Sequence, residues 1–149
     1  MTHKLENINY EMTILLFFLL IKFTEVSKVN DKIIITQKLF NQAKCWNSGN
    51  IECFMEDYWH SDSLMYIGKN GITYGWMQTL DNYKLKYPTK KEMGNLTFEI
   101  ITLKSISPNH YFMVGKWNLM REIGDIGGYF SLIWERINGE WVIVSDHSS

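Results

Sequence analysis

The stretch from residue 95 to residue 149 constrains the fold most strongly, because it consists of four strand-like segments joined by short turns. The segments are LTFEIITLKSIS, HYFMVGKWNLMRE, YFSLIWERI and EWVIVSDHSS. Pro108-Asn109, the loop IGDIGG and Asn138-Gly139 separate them. Short connections of this kind join antiparallel neighbours. The sequence therefore predicts a long antiparallel sheet in this part of the chain.

Three helices are predicted before this sheet. Apolar residues at helical spacing follow Asn30-Asp31, which has the composition of an N-cap, and continue to Trp46. A second helical stripe follows Asn50 and extends to Trp59. A third helix is predicted over residues 76–87, where Pro88 ends it.

Two short strands lie between the second and third helices, in SLMYIG and ITYG, on either side of the turn KNG. The predicted element order is therefore α-α-β-β-α-β-β-β-β. Three helices before a run of antiparallel strands predict an α+β fold, in which one strongly curved sheet wraps over a helical layer. The concave face of such a sheet leaves room for a cavity.

Composition excludes some classes of function. The 149 residues suit one domain, and the net charge of −1 provides no basic surface for nucleic acid. No phosphate-binding loop and no zinc-ligand spacing occurs, so we expect no cofactor and no metal. The aromatic fraction of 15% is high and permits a ligand pocket.

The segment 12–23, MTILLFFLLIKF, is almost wholly apolar. It is short for a membrane span but has the length of the core of a signal peptide. We therefore separate an N-terminal segment, residues 1–29, from a single domain, residues 30–149. If this segment is a signal peptide or a lipid-facing anchor, with Met12 as one candidate start, we expect a secreted or periplasmic protein that contacts a membrane only through this segment. As a helix extension packed on the body or on a partner, it predicts a cytoplasmic one.

Two cysteines, Cys45 and Cys53, lie eight residues apart near the corner between the first two helices. They have no partners at metal-binding spacing. Two alternatives remain open: two small packed residues, or a disulfide if the chain is exported.

Three stretches carry a resemblance to a known family: Ala43 to Trp76, VGKWNLMRE at 114–122, and Gly127 to Ser149. Over residues 30–149 the chain resembles the nuclear-transport-factor-like superfamily, which includes SnoaL-like cyclases and ketosteroid isomerases. More narrowly, it resembles a bacterial subgroup of uncharacterised SnoaL-like domains. The resemblance implies a cone-shaped α+β barrel with a pocket in the cone and a homodimer formed through the sheet. It does not place the isomerase carboxylate and its tyrosine–acid pair on this chain.

Strand alternation predicts which side chains face that pocket. On the second long strand, Tyr111, Met113, Trp117, Leu119 and Arg121 share the inner face. Arg121 is either an anchor for an anionic ligand or a structural partner of an acid.

The last strand predicts a candidate base. If the strand is regular, His147 faces the cavity beside Trp141, and Asp146 faces away, whereas a bulge would exchange them. His147 is then a candidate general base, because imidazole titrates near neutral pH. Asp62, at the corner after the second helix, is a second candidate base or a turn residue.

Aromatic side chains complete the candidate site. The predicted ligand-binding residues are Tyr58, Tyr66, Trp76, Tyr83, Trp117 and Arg121. We expect a small apolar or aromatic ligand in the cone. Two alternatives are a cofactor-free isomerase, cyclase or dehydratase that uses His147 or Asp62 as its base, and a dimeric interaction module without catalysis.

Overall fold

A computed structural model describes the backbone from residue 2 to residue 149 and the side chains from Met12 onward. The chain forms two compact units, one ending at Ile33 and one spanning Ile34–Ser149. The elements are α1 (Thr2–Asn47), α2 (Ile51–Met55), β1 (Met65–Gly68), β2 (Gly71–Tyr74), α3 (Trp76–Lys86), α4 (Lys90–Met93), β3 (Asn95–Ser107), β4 (His110–Met120), β5 (Ile126–Ile137) and β6 (Glu140–Ser148).

The first unit is the N-terminal part of α1, and all of its side chains from residue 12 to residue 30 are exposed. The predicted N-cap at Asn30-Asp31 is wrong, because α1 continues through both residues and meets neither glycine nor proline before Gly49. Among the described residues, no helical stretch combines the length and hydropathy needed to cross a bilayer. The predicted signal peptide stays a prediction. The side chains of the eleven residues before Met12 lie outside the described part.

The second unit contains an open six-stranded sheet with the order β2-β1-β6-β5-β4-β3. The predicted α+β architecture, a curved sheet over helices, is confirmed. The sheet is mixed, however, because β1 pairs with β6 in parallel while the other neighbours pair antiparallel. Register shifts interrupt the β3–β4 and β5–β6 pairings. Bulges of this kind bend strands and increase their twist.

One hydrophobic core lies between the C-terminal part of α1 and the sheet. Ile35 and Leu39 of α1 are almost fully buried, as are Met113, Trp134 and Ile143 of the strands. Alternation along β4 places Tyr111, Met113 and Leu119 inward, as predicted.

Hydrogen bonds attach the C-terminal end of α1 to α4 and to the start of β3. The Trp46 indole N–H donates to the Met93 carbonyl at 3.0 Å. The Asn47 side chain donates to the Leu96 carbonyl at 3.0 Å and accepts from the Leu96 backbone N–H at 2.6 Å.

The helical corner differs from the prediction in two respects. Asn50 caps α2 by accepting from the Cys53 backbone N–H, but α2 ends at Met55 rather than near Trp59. Tyr58 instead forms an isolated parallel bridge with Ile143. Of the two alternatives for the cysteines, the structure has the disulfide, with 5.4 Å between the Cα atoms of Cys45 and Cys53.

The short helix α4 was not predicted. A capping box stabilises its N-terminus. The Thr89 hydroxyl accepts a hydrogen bond from a backbone N–H of the first turn, and the Glu92 carboxylate accepts one from the Thr89 backbone N–H at 3.1 Å.

Candidate functional site

A cavity of about 400 Å³ lies within the second unit, between its helices and the inner face of the sheet. Its wall is mostly apolar, and the helices, β3, β4 and β5 contribute Leu39, Phe54, Leu96, Phe98, Trp117 and Phe130. Its polar side chains include Tyr58, Tyr66, Tyr83, Asp146 and Ser148. Both the volume and the balance of apolar wall to few polar groups are typical of a small-molecule site.

A bulge in β6 places Asp146 in this cavity. Trp134 pairs with Ile143 and Ile133 pairs with Ser145, so Val144 is the extra residue between them. One extra residue exchanges the two faces of a strand. Trp141 and Ile143 therefore face inward before the bulge, and Asp146 faces inward after it.

The Asp146 carboxylate accepts hydrogen bonds from two hydroxyls. The Tyr58 phenol donates to Oδ2 at 2.7 Å, and the Ser148 hydroxyl donates to Oδ1 at 2.8 Å. Burial raises the pKa of Asp146 from 3.8 to about 6, although these two hydrogen bonds lower it. Each oxygen keeps a second lone pair, so the carboxylate can still accept from a ligand.

Three phenols surround this carboxylate. Burial, and then the charge of Asp146, raises the pKa of Tyr66 to about 12. Burial also raises the pKa values of Tyr58 and Tyr83 well above the ordinary value. All three side chains therefore stay protonated at neutral pH. Tyr58 donates its one proton to Asp146, which leaves Tyr66 and Tyr83 as the candidate donors to a ligand.

Ring packing holds the phenols in place. The rings of Tyr66 and Tyr83 meet edge to face, with centroids 5.7 Å apart, and Phe54 lies 5.3 Å from Tyr83. Gly68 leaves space for the Tyr66 ring, since a Cβ at that position would lie 2.9 Å from Tyr66 Cε1. The aromatic wall is thus preformed.

Four of the predicted ligand-binding residues line the cavity together: Tyr58, Tyr66, Tyr83 and Trp117. Trp76 does not line it. Its indole N–H donates to the Met55 carbonyl at 2.9 Å, and its ring stacks on His60 with centroids 4.0 Å apart. Trp76 therefore joins α3 to the corner after α2.

The position predicted for His147 from a regular strand is wrong, and the bulged alternative is the one that the structure has. The bulge at Val144 turns His147 to the outer face, where it is exposed. Asp62 is also exposed and does not line the cavity. Neither residue is placed to act as a base inside the cone.

The predicted inward position of Arg121 is also wrong. β4 ends at Met120, and the following turn carries Arg121 away from the cavity. The Arg121 guanidinium donates to the Gly124 carbonyl at 2.8 Å, and its backbone N–H donates to Asp125 at 2.9 Å. Arg121 thus stabilises the β4–β5 hairpin.

Sequence reasoning missed several cavity residues. Trp46, Phe54 and Tyr87 belong to helical stripes that indicate a core, and nothing in their spacing separates a cavity wall from a packed interior. The acid on β6 was recognisable as an unusual residue in a buried strand, but its face depends on the bulge. Among residues 12–149, no group of three His, Cys, Asp or Glu side chains is placed to hold a metal ion.

Among known proteins, the chain is similar to several solved structures. No protein-family model matches the chain, and no curated protein matches it. An NTF2-like protein of unknown function from Shewanella oneidensis MR-1 is 38% identical, with a TM-score of 0.77 and coverage of 80% of this chain and 98% of that chain.

Two more distant structures share the fold. LinA is 13% identical, with a TM-score of 0.71 and coverage of 85% of this chain and 89% of LinA. A ketosteroid isomerase-like protein from Erwinia carotovora atroseptica SCRI1043 is 12% identical, with a TM-score of 0.62 and coverage of 78% and 93%. At these identities the likeness concerns the fold alone.

Proposed function

The chain belongs to the NTF2-like family, and on that premise we propose that its cavity binds a small, flat, largely apolar molecule that carries one hydrogen-bonding group. The observation that supports this proposal is the grouping of three phenols and one buried carboxylate in an otherwise apolar cavity of about 400 Å³. A core built only for stability is filled with side chains and leaves no such volume.

The apolar wall selects the body of the ligand. Phe98 and Phe130 meet edge to face with centroids 5.5 Å apart, and Trp117 lies in the same wall. Such rings favour a flat aromatic or polycyclic molecule by dispersion and by desolvation of its apolar surface.

The polar cluster selects the functional group. The phenols of Tyr66 and Tyr83 can donate to a carbonyl or hydroxyl oxygen, and Asp146 can accept from a hydroxyl. Buried polar groups that a ligand satisfies give specificity, because a ligand without the matching group leaves them unpaired.

Binding of 2-acetylnaphthalene, measured by isothermal titration calorimetry, tests this proposal. We expect saturable binding to the unaltered protein. Loss of one neutral hydrogen bond in Tyr66→Phe should weaken binding by about 1 kcal/mol, or about fivefold in Kd. Tyr74→Phe is the matched control, because Tyr74 is 61% exposed and lies outside the cavity. Equal affinity of the two variants would contradict the role of the phenols, and absence of binding would contradict the proposal.

A second candidate function is proton transfer with Asp146 as the base. A carboxylate whose pKa is about 6, inside an apolar cavity, is a stronger base than an exposed aspartate and is still ionised at pH 7. It would remove a proton from the carbon next to a carbonyl, while a nearby phenol donates to the oxygen on which negative charge develops.

The same probe tests this chemistry, because the methyl group of 2-acetylnaphthalene exchanges its protons through the enolate. In D₂O we expect the protein to accelerate deuterium incorporation, measured by mass spectrometry. Asp146→Asn should reduce the accelerated rate by about a hundredfold or more, as expected on removal of a general base. The rate should rise with pH and level off above about pH 6, where Asp146 is ionised. Binding without exchange would leave the ligand-binding function and exclude this one.

Association through the outer face of the sheet is a separate proposal. Tyr129 is 56% exposed on β5, and half-buried Phe112, Val114 and Ile133 lie on the outer face of β4 and β5. We expect sedimentation equilibrium to give a dimer and Phe112→Glu to give a monomer. A monomeric unaltered protein would contradict it.

A further inference from the structure

A second recess of about 350 Å³ adjoins the cavity. The two share Tyr66, Lys69, Tyr83 and Lys86, so the phenols form a common border and the two lysines stand beside it. The second recess lies between the β1–β2 hairpin and α3, and it is more polar, with Asn70, Thr73 and Asn82 in its lining. A ligand in the cavity thus has a polar continuation past the phenols.

The two lysines at this border have no acidic group beside them in the described part of the chain. The cavity is also lined by Asp146 and by Ser149, which carries the terminal carboxylate, whereas the second recess is lined by both lysines and by no acid. Among residues 12–149, no carboxylate, including that of Ser149, lies within 4.0 Å of the amine of Lys69 or Lys86. Two positive charges therefore have no acidic partner at this opening.

Lys38, Lys84 and Lys116 of the same unit have acidic partners, whereas Lys44, Lys90, Lys91 and Lys104 have none within 4.0 Å among the described residues. Lys69 and Lys86 differ from all of these because they line the cavity. Lys84 of α3 pairs with Glu52 at 2.6 Å, and Lys38 of α1 pairs with Asp57 at 2.8 Å. Lys86 ends α3, where the helix dipole favours a cation and the amine lies 5.2 Å from the centre of the Tyr87 ring. The dipole does not explain Lys69, which lies in the hairpin turn after Gly68.

Asp146 forms no ion pair with these lysines. No oxygen of its carboxylate lies within 4.0 Å of either amine, and the side chain is buried. Its negative charge instead disfavours a second anion deep in the cavity, and a doubly charged group more than a singly charged one. An anionic group of a ligand is therefore directed outward, toward Lys69 and Lys86.

We infer that the ligand of this cavity is an apolar carboxylic acid, with its flat body in the cone and its carboxylate between Lys69 and Lys86. The inference rests on the proposed function and adds the chemical class of the ligand. It assigns Lys69 and Lys86 as specificity-determining residues, in the role that the sequence had suggested for Arg121.

A matched pair of probes tests this inference. 2-Naphthoate and 2-acetylnaphthalene have the same ring system and a planar substituent of similar size, but only the first is an anion. At low ionic strength and pH 8, we expect calorimetry to show that the unaltered protein binds naphthoate about tenfold more tightly. Raising the NaCl concentration to 0.5 M should weaken naphthoate binding and leave acetylnaphthalene binding unchanged, because salt screens exposed charges.

The double variant Lys69→Gln, Lys86→Gln should lose the tenfold preference and keep its affinity for acetylnaphthalene. Lys84→Gln is the control, because it removes an exposed positive charge from the same helix but not from the cavity. The inference is overturned if the double variant keeps the preference or if Lys84→Gln removes it equally. Binding of acetylnaphthalene without a preference for naphthoate would overturn this inference alone. Binding of neither probe would overturn the proposed function as well.

Discussion

Replacing Asp146 with Asn should make the protein more stable at neutral pH. Asp146 is 3% exposed, and burial raises its pKa to about 6 in the folded protein from an ordinary value of 3.8. Burial penalises the charged form, so the folded state holds a proton that the unfolded chain releases between pH 4 and pH 6. Stability from this group is therefore fully present below pH 3.8 and is lost as pH rises to about 6.

The size of the loss follows from the two pKa values. A difference of about 2 pKa units corresponds to about 3 kcal/mol of unfolding free energy, since each unit is worth about 1.4 kcal/mol. Most of this loss should appear between pH 4 and pH 8. An asparagine does not ionise, so the variant avoids this loss.

The variant should also keep the local geometry. The amide that Asp146→Asn introduces presents one carbonyl oxygen, which can accept from the Tyr58 phenol. Its amide nitrogen can donate to the Ser148 hydroxyl oxygen, which reverses the present direction of that hydrogen bond. Both hydroxyls that now contact the carboxylate then keep a partner.

Urea denaturation at a series of pH values measures this effect. The free energy of unfolding of the variant minus that of the unaltered protein should increase by about 2–3 kcal/mol from pH 4 to pH 8 and be constant above pH 7. Asp62→Asn is the control, because the same substitution at an exposed position should not change with pH in this way. A difference for Asp146→Asn that is constant across the range would refute the reasoning that burial disfavours the charged carboxylate.

Three further predictions concern other parts of the chain. Reducing the disulfide between Cys45 and Cys53, which lie eight residues apart, should lower the free energy of unfolding by about 2.5 kcal/mol, and equal urea midpoints for the oxidised and reduced protein would contradict this. Ile143→Ala should lower the free energy of unfolding by about 2–5 kcal/mol, because Ile143 is fully buried. Ile106→Ala, at a position that is 59% exposed, should lower it by less than about 0.5 kcal/mol. Similar losses in the two variants would argue against the core described above. If residues 12–23 direct export, cell fractionation should find the full chain outside the bacterial cytoplasm. A chain without this segment should stay inside the cytoplasm. Identical fractionation of the two chains would refute the export hypothesis.

Local sequence patterns predicted the orientation of side chains correctly where the backbone is regular. Alternation along β4 predicted that Tyr111, Met113 and Leu119 face inward, and their burial confirms it. The same rule failed along β6, because the bulge at Val144 arises from pairing with β5, and pairing is a property of the assembled sheet. A shift of one residue exchanged the predicted positions of Asp146 and His147.

The amino-acid sequence by itself determined the class of the fold and the order of its main elements, because periodicity and turn residues act over short distances along the chain. It did not determine which titratable groups enter the cavity. The position of Asp146, the pairing of Lys84 with Glu52 and the absence of an acid beside Lys69 among the described residues depend on strands and helices that meet only in the folded molecule. Tertiary structure decided the chemistry of the site, because burial and charge balance are properties of neighbours in space.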